Sequence, residues 1–541
     1  MALGLVLLAA PARSQEKEFE ISGYVQMQAG VFVPLASQVF KDYDNEAYIA
    51  IKKAGVNEYQ YDQPCDPVNS PRIPCTVKNH GSKAGKLSMM RSSIDLMADW
   101  RPEEHVTIHA VVRLVGSLKL EVDAYAQPPS FPEGVDRRTH AIDYAWREHY
   151  NQADLREFYI DIETTDWLSF RVGRQQVVWG DINSMRLLDV VNPEDTTWHF
   201  GPLESFEDTR IPLWAVKTMF EMHDIDHSLE LLWVPGIDRS EDTVNVPLTL
   251  VGAWGLPLTN TPSPYLIDEK VFLYPGNVIE DQRVGVRWRG NIVPESSYAF
   301  MYYYTHQMTP PIPLYYDQMP TEGGFFDPDH LKTLYLGFPR QHIAGMSLDY
   351  SFDNPIGMVA KLEASVEPNR TFPRQSTTRS THLDTEYGSG LERVIFDVPT
   401  KPVLNYAVQL MRPTMIRWLN PTQNFLIVGQ FSHSVVFNLS ENDKIDLVQI
   451  PGYNNYKVAM HSFQGVFVFG TTYLHGLLSP RLTAAYIHPE SGFIAGQLDL
   501  RLGRNWRLRF EITDFFGADP FKALGLFRDR DEINLRIRYQ F

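Results

Sequence analysis

The chain has 541 residues, a formal charge of −17 and a mean hydropathy of −0.25. No run of eighteen apolar residues occurs, which excludes a transmembrane helix, and the acidic balance without a basic tract excludes a nucleic-acid binder. Aromatic residues reach 12%, with 26 Tyr and 11 Trp, a level that suits interfacial girdles if the chain crosses a membrane by strands.

The chain begins MALGLVLLAAPARSQ. An apolar stretch, Ala2 to Ala10, is followed by small residues at Ala12 and Ser14, so residues 1–14 read as a secretory signal shortened at its basic end. A buried first strand is the other reading. The remaining 15–541 form one domain. Cys65 and Cys75 lie in QPCDPVNSPRIPC. In an exported chain this predicts a local disulfide closing a Pro-rich loop. One cysteine pair is too few for a zinc site, and without CxxCH the chain attaches no c-type haem. No cofactor is expected.

Strand character appears first in Phe19 to Val33, then in Leu87 to Trp100, with a polar segment of roughly 34–85 between them. Val106, Ile108, Ala110, Val112 and Leu114 alternate with polar partners, the side-chain period of a strand with two unlike faces. After a second polar segment, near 117–153, Phe158, Ile160 and Ile162 alternate with Glu157, Asp161 and Glu163. Leu168, Phe170 and Val172 then oppose Ser169 and Arg171. Tight turns fall at 101–104, 164–166, 224–226, 294–296, 353–355, 420–422, 475–476 and 503–505, all built from Gly, Asn, Asp, Pro and similar turn formers. Long connections lie near 180–208, 236–280, 309–338, 368–398 and 438–456. Shorter ones lie at 488–492 and 517–529.

Short turns alternating with long loops are the asymmetry of an outer-membrane barrel, whose periplasmic turns are short and outer loops long. Eight hairpins plus a first and a last strand give eighteen strands. The expected fold is therefore an all-β antiparallel transmembrane barrel of 16–18 strands with both termini periplasmic. Trp100, Trp167, Trp418 and Trp506 each flank a short turn, which places indoles at one water–lipid interface. The chain ends DEINLRIRYQF. Its period-two pattern closing on Tyr539 and Phe541 resembles the terminal strand of outer-membrane barrels, which the barrel assembly machinery reads as a signal.

Residues 155–180, LREFYIDIETTDWLSFRVGRQQVVWG, and 186–200, RLLDVVNPEDTTWHF, resemble a family of proteobacterial outer-membrane proteins known only as a domain of unknown function. Gly173-Arg174-Gln175, Val178-Trp179-Gly180 and the run Asp189 to Asp195 carry the resemblance. Asp181 stands where that family's pattern has Glu. The resemblance implies a barrel in the outer membrane of a Gram-negative bacterium and no reaction. Strict alternation puts Arg174 and Gln176 on the lipid face, where Arg near mid-bilayer costs about 2–4 kcal/mol. Either the strand reaches the outer interface there, or a bulge at Gly173 changes the phase. Leu187, Leu188, Val190 and Val191 are interleaved with Asp181, Asp189, Asn192, Glu194 and Asp195. Two readings stand for this segment: a solvated outer loop, or a loop folded inward that narrows the lumen over Asp181 to Phe200.

Enzyme motifs are absent. Gly388-Ser389-Gly390 lacks the strand–turn–helix of a nucleophile elbow, and His461-Ser462 are adjacent, so their side chains point to opposite faces. A barrel this wide leaves an aqueous lumen, so the expected role is a porin-like channel. Two alternatives need partners. One is a sheath around multihaem cytochromes; the other is an exporter of hydrophobic molecules or lipids served by a periplasmic lipid carrier. Otherwise the partners are the outer-membrane lipids and the assembly machinery. Polar positions of the clearest strands hold Arg113, Arg171, Arg283, Arg287, Arg289, Arg501, Arg507, Arg509, Arg536 and Arg538. Against them stand Glu157, Asp161, Glu163, Asp499 and Glu511. Either these charges pair across strands, or Arg501, Arg507, Arg509, Arg536 and Arg538 form a basic lumenal stripe that favours anions.

Overall fold

A computed structural model describes residues 18–33, 35, 87–117, 151–182, 184–195, 198–237, 266–275, 278–308, 312–318, 330–353, 355–372, 377–383, 392–396, 398–440, 458–488, 491–517, 523–527 and 530–541. The expected signal peptide, the Cys65–Cys75 loop and Gly388-Ser389-Gly390 lie outside these residues.

In chain order the strands begin with β1 (Glu18–Phe32), β2 (Leu87–Glu103), β3 (Val106–Ser117), β4 (Gln152–Thr165), β5 (Leu168–Gln175), β6 (Leu213–Met222) and β7 (His227–Val234). Next come β8 (Leu266–Leu273), β9 (Arg283–Gly290), β10 (Ser296–His306), β11 (Ile312–Gln318), β12 (His330–Gly337), β13 (Arg340–Phe352), β14 (Met358–Thr371), β15 (Thr377–Leu383) and β16 (Glu392–Phe396). The last are β17 (Thr400–Thr414), β18 (Phe425–Val436), β19 (His461–Gly470), β20 (Leu478–Ile487), β21 (Ser491–Leu502), β22 (Trp506–Gly517) and β23 (Glu532–Gln540). Eighteen of these form one antiparallel sheet, and β1 pairs with both β2 and β23, so the sheet closes into a barrel. Closure leaves no sheet edge with unpaired backbone groups in lipid.

All eight tight turns join neighbouring barrel strands at one rim, and the longer connections leave from the other. The turn chemistry accounts for this. Asp226, for example, takes a left-handed backbone at the β6–β7 turn, a conformation that a short polar side chain tolerates. The chain end seals the short-turn rim: Gly23 N–H donates to the Phe541 carbonyl at 3.1 Å, and Phe541 N–H to that of Gly23 at 3.0 Å.

Alternation sorts the two faces. On β1, Met27 points outward and is 52% exposed, whereas Gln28 points inward and is 2% exposed. Val25, Ile494, Phe510 and Leu535 are likewise exposed, against buried Gln26, Glu511 and Asn534. Trp100, Trp167, Trp418 and Trp506 are all exposed beside the short turns, and Trp214 and Trp233 are exposed near the opposite ends of their strands. No helix among the described residues is long and apolar enough to cross a membrane; the crossing is made by strands.

A second sheet was not foreseen from the sequence. Strands β15, β16, β11, β12 and β8 pair in that order, with β12 and β8 parallel. It is assembled entirely from segments expected to be loops.

The wall does not need a bulge at Gly173 to shift its phase. The β4–β5 register runs unbroken from Ile162 opposite Phe170 to Phe158 opposite Arg174. The irregularity lies one strand away, where Val111 faces Glu157 but Val112 faces Leu155. Arg174 stays on the outer phase, but β5 ends one residue later. Its guanidinium is buried by folding back onto Asp154 at 2.6 Å and the Leu155 carbonyl.

Candidate functional site: a loop across the lumen

After Gln175 the chain leaves the wall and returns at Leu213. Residues 176–212 therefore connect two adjacent strands, yet they contact inward-facing side chains of strands far apart on the barrel. The first half docks on an apolar wall. Val177, Trp179, Leu188 and Val191 are buried with Leu213, Ala215, Leu232, Val234, Met301, Tyr303 and Ile343. Trp179 Nε1 donates to Glu230 at 2.7 Å. Two wall glycines make room: a Cβ at Gly285 would lie 2.4 Å from the Trp179 ring, and one at Gly345 2.7 Å from Leu188.

Polar wall side chains then take up the loop's own backbone groups. Glu363 on β14 is fully buried and accepts the N–H groups of Asp181, Ile182 (2.8 Å) and Leu188 (3.0 Å). Gln430 on β18 accepts from Met185 N–H at 3.1 Å and donates to its carbonyl at 2.9 Å. Buried backbone groups without such partners would be costly.

The second half crosses to β1, β2, β3 and β23. Phe200 packs edge-on against Phe493 and Phe515 at 5.3 and 5.0 Å, within a cluster that includes Phe32, Met89 and Phe527. Beside it His199 is buried between two carboxylates, Glu204 at 2.9 Å and Glu532 at 2.8 Å. Glu204 also pairs with Arg536 at 2.7 Å and Arg91 at 3.2 Å, and accepts from Gln28 at 3.2 Å. A short helix, α1 (Phe206–Thr209), follows. Ser205 caps it by accepting from Asp208 N–H. Arg156 donates to the carbonyls of Glu207, Asp208 and Arg210 at 2.6, 3.0 and 2.9 Å, where the helix leaves carbonyls without intrahelical partners. Asp208 pairs with Arg113 at 2.8 Å, and Arg113 with Asp95 at 2.6 Å.

The charge states follow. Burial alone would lower the His199 pKa, but the Glu532 and Glu204 carboxylates outweigh it and raise it to about 10. Burial likewise opposes ionisation of Glu204, yet Arg536, Arg91 and His199 hold it well below the usual carboxylate range. Arg113 does the same for Asp208.

The residues picked out by sequence divide by role. Asp181 is tied to the wall through its backbone, and its carboxylate accepts from Ser347 at 3.0 Å. Asp189, Asn192, Glu194 and Asp195 brace the loop from within. Asp189 takes Arg186 and Arg210 at 2.8 and 2.6 Å. Glu194 pairs with Arg186. Asn192 accepts from Val177 N–H at 2.7 Å and donates to the Ile211 carbonyl at 2.8 Å, and Asp195 N–H donates to the Thr209 carbonyl at 2.7 Å. The crossing is longer than Asp181 to Phe200, and its far anchors, Glu204 and Asp208, lie beyond that segment. Their signal was available: a capping Ser205 before two acids, opposite an arginine-rich last strand.

The five arginines of the expected stripe are neighbours in register. Arg507 faces Arg538 and Arg501, and Arg509 faces Arg536. They are not alike, however. Arg536 is held by Glu204. Arg538 lies 3.7 Å from Asp208, donates to Gln26 at 2.8 Å and stacks over the Tyr24 ring. Arg509 pairs with Asp499 at 2.7 Å. Arg501 and Arg507 are exposed near the short-turn rim. Across the wall, Arg171 pairs with Asp161 at 2.6 Å. Pairing therefore engages Arg509, Arg536 and Arg538, and Arg501 and Arg507 lie exposed nearer the rim. Tyr539 and Phe541 are exposed on the outer face, and Tyr539 lies 4.9 Å from Trp506.

A family model described as "Protein of unknown function (DUF1302)" matches residues 115–236 and 275–541. The chain belongs to that family. The GRQ, VWG and DVVNPED motifs fall inside the first matched segment; GRQ closes β5, and VWG and DVVNPED build the start of the crossing loop. No curated protein matches the sequence. Solved structures similar to the chain include OccAB1 of Acinetobacter baumannii, 7% identical over 96% of both chains with a TM-score of 0.43. OccK11 (OpdR) of Pseudomonas aeruginosa is 9% identical over 97% of this chain and 96% of that one, with a TM-score of 0.43. OprB of Pseudomonas putida is 9% identical over 97% and 94%, with a TM-score of 0.38. The even-numbered closed barrel, its apolar exterior and its short and long rims are the architecture of the Gram-negative outer membrane, where this chain resides.

Proposed function

We propose that the chain is a passive channel for small solutes whose bore is set by its own residues 176–212, with the short turns facing the periplasm. The observation that supports this reading is the loop's fixation on both sides of the lumen, by Glu363 and Gln430 at one side and by Glu204 and His199 at the other. An eighteen-stranded barrel is wide enough to conduct water and ions, and a crossing segment narrows it without closing the rims. The same segment occupies space that a multihaem cytochrome would need, which weighs against the sheath. It also covers the apolar part of the inner wall, which weighs against a greasy export path. The proposed partners are lipids around the outer face and the assembly machinery acting on Tyr539 and Phe541. No catalysis is part of the role.

The test is reconstitution of refolded protein in a planar bilayer. Discrete, reproducible conductance steps are expected. Folded barrels that insert and conduct nothing would refute the channel reading.

A further inference from the structure

The short-turn rim sorts its charges by side. Round the barrel from β2 to β14, five consecutive turns expose Glu103, Glu104, Asp166, Asp224, Glu295 and Asp353, with Arg101 and Arg289 as the cations beside them. The next three turns, from β17 to β22, expose Arg417, Arg501, Arg504 and Arg507. No carboxylate occurs in 412–423, 471–481 or 501–507. Arg501 and Arg507 stand opposite each other on β21 and β22. Neither those carboxylates nor these four arginines form an ion pair among the described residues. Like charges gathered in this way repel one another, which interspersed signs avoid. The basic side also carries an apolar anchor. Trp418 is 83% exposed and has no ring partner among the described residues, whereas Trp167 and Trp506 lie on Phe220 and Tyr539 at 6.3 and 4.9 Å.

We propose that this rim is the docking surface of a soluble periplasmic protein that sits over the mouth; the inference rests on the orientation given above, with the short turns in the periplasm. The partner's face carries a basic lobe for the five acidic turns, an acidic lobe for the other three, and an apolar pocket beside the acidic lobe for Trp418. Size decides against smaller partners. Eighteen strands about 4.8 Å apart and tilted by about 40° give a mouth roughly 35 Å across. The Debye length is about 8 Å at physiological ionic strength. A small ion entering the lumen therefore feels one arc at a time and meets no single preferred sign. A rigid body that spans the mouth meets both arcs at once, and complementary charge then steers its approach and fixes its orientation. A polymer of uniform charge is repelled by one arc or the other. Trp and Arg, which stand together on the basic side, are among the side chains that most often anchor protein interfaces.

The experiment places the photo-crosslinker p-benzoylphenylalanine in the full-length chain, in the cells that make it, at Thr165 on the acidic arc or at Gln423 on the basic arc. One and the same soluble protein, identified by mass spectrometry, is expected in the adducts from both positions. Arg501→Glu combined with Arg504→Glu should lower the yield at Thr165, across the mouth, at least fivefold, because both arcs hold the partner. Heat-modifiability on gels reports folding. If that double variant does not fold, Asp224→Lys read at Gln423 takes its place. No protein adduct, adducts of lipid or peptidoglycan alone, different proteins at the two positions, or a yield untouched by charge reversal across the mouth would overturn the proposal. A protease site in the 353–357 turn reports the orientation separately: cleavage only after the outer membrane is opened is expected, and cleavage in intact cells would overturn orientation and docking together. Conductance of the same variants keeps this result apart from the channel reading.

Discussion

The two halves of the crossing loop are anchored by different chemistry. Residues 177–192 are held by apolar contact and by neutral or lone wall groups that take up backbone hydrogen bonds, with Glu363 as the main acceptor. Residues 198–210 are held by a charge network in which His199, Glu204 and Asp208 meet wall arginines and Glu532. The first kind of anchor rests mainly on apolar packing and on hydrogen bonds to the loop's own backbone. The second depends on every member being present and charged, because removing one partner strands another charge in a buried site.

The comparison is broken most strongly at His199. Replacing it with Leu leaves Glu204 and Glu532 without the cation between them and should cost about 3–5 kcal/mol of loop docking, the scale for breaking a buried pair. Hydrogen exchange should rise in 198–211 and stay protected in 177–192. Equal loss in both halves would show that the loop docks as one unit. Glu363→Ala is the mirror experiment. Three backbone N–H groups lose their acceptor, at about 1 kcal/mol or more each, and 177–192 should open first.

The halves should also part with pH. The His199 pKa is raised from its unfolded value near 6.5 to about 10. Its stabilising contribution is therefore complete below about pH 6.5, declines above that, and is gone once pH passes about 10. Exchange in 198–211 should quicken across this window after correction for intrinsic rates, that in 177–192 should not, and His199→Leu should abolish the difference. Flat profiles in both halves would remove the charge anchor from the account.

How much of this was legible in the sequence follows the same divide. The barrel was legible because each of its signals is local: turn formers at eight tight turns along one rim, alternation along each strand, Trp beside short turns, and an aromatic chain end. The inward fold of the loop was only one of two readings the sequence left open, suggested by apolar residues such as Leu188 and Val191 that need cover. Its far anchors were not, because His199 and Glu532 are 333 residues apart and only barrel closure brings them together. The second sheet escaped for a similar reason, since β8 and β12 are parallel partners drawn from different loops. Of the two readings of Arg174, the bulge at Gly173 is not found, and the side chain folds back where β5 stops.

The smallest effect is expected away from the loop. Asp161→Asn removes the cross-strand pair with Arg171, both partly exposed to the lumen. The change should cost under about 1 kcal/mol in denaturant unfolding, and a larger loss would mean that wall pairs, not only loop anchors, brace the barrel.

The most direct measurement is single-channel conductance of the wild type against a variant in which residues 181–208 are replaced by a short Gly-Ser linker, both shown to be folded by heat-modifiability. The loop spans the lumen, so its removal should raise conductance several-fold and reduce the differences in passage between small and large ions. An unchanged conductance in the folded deletion variant would contradict the claim that this loop sets the bore.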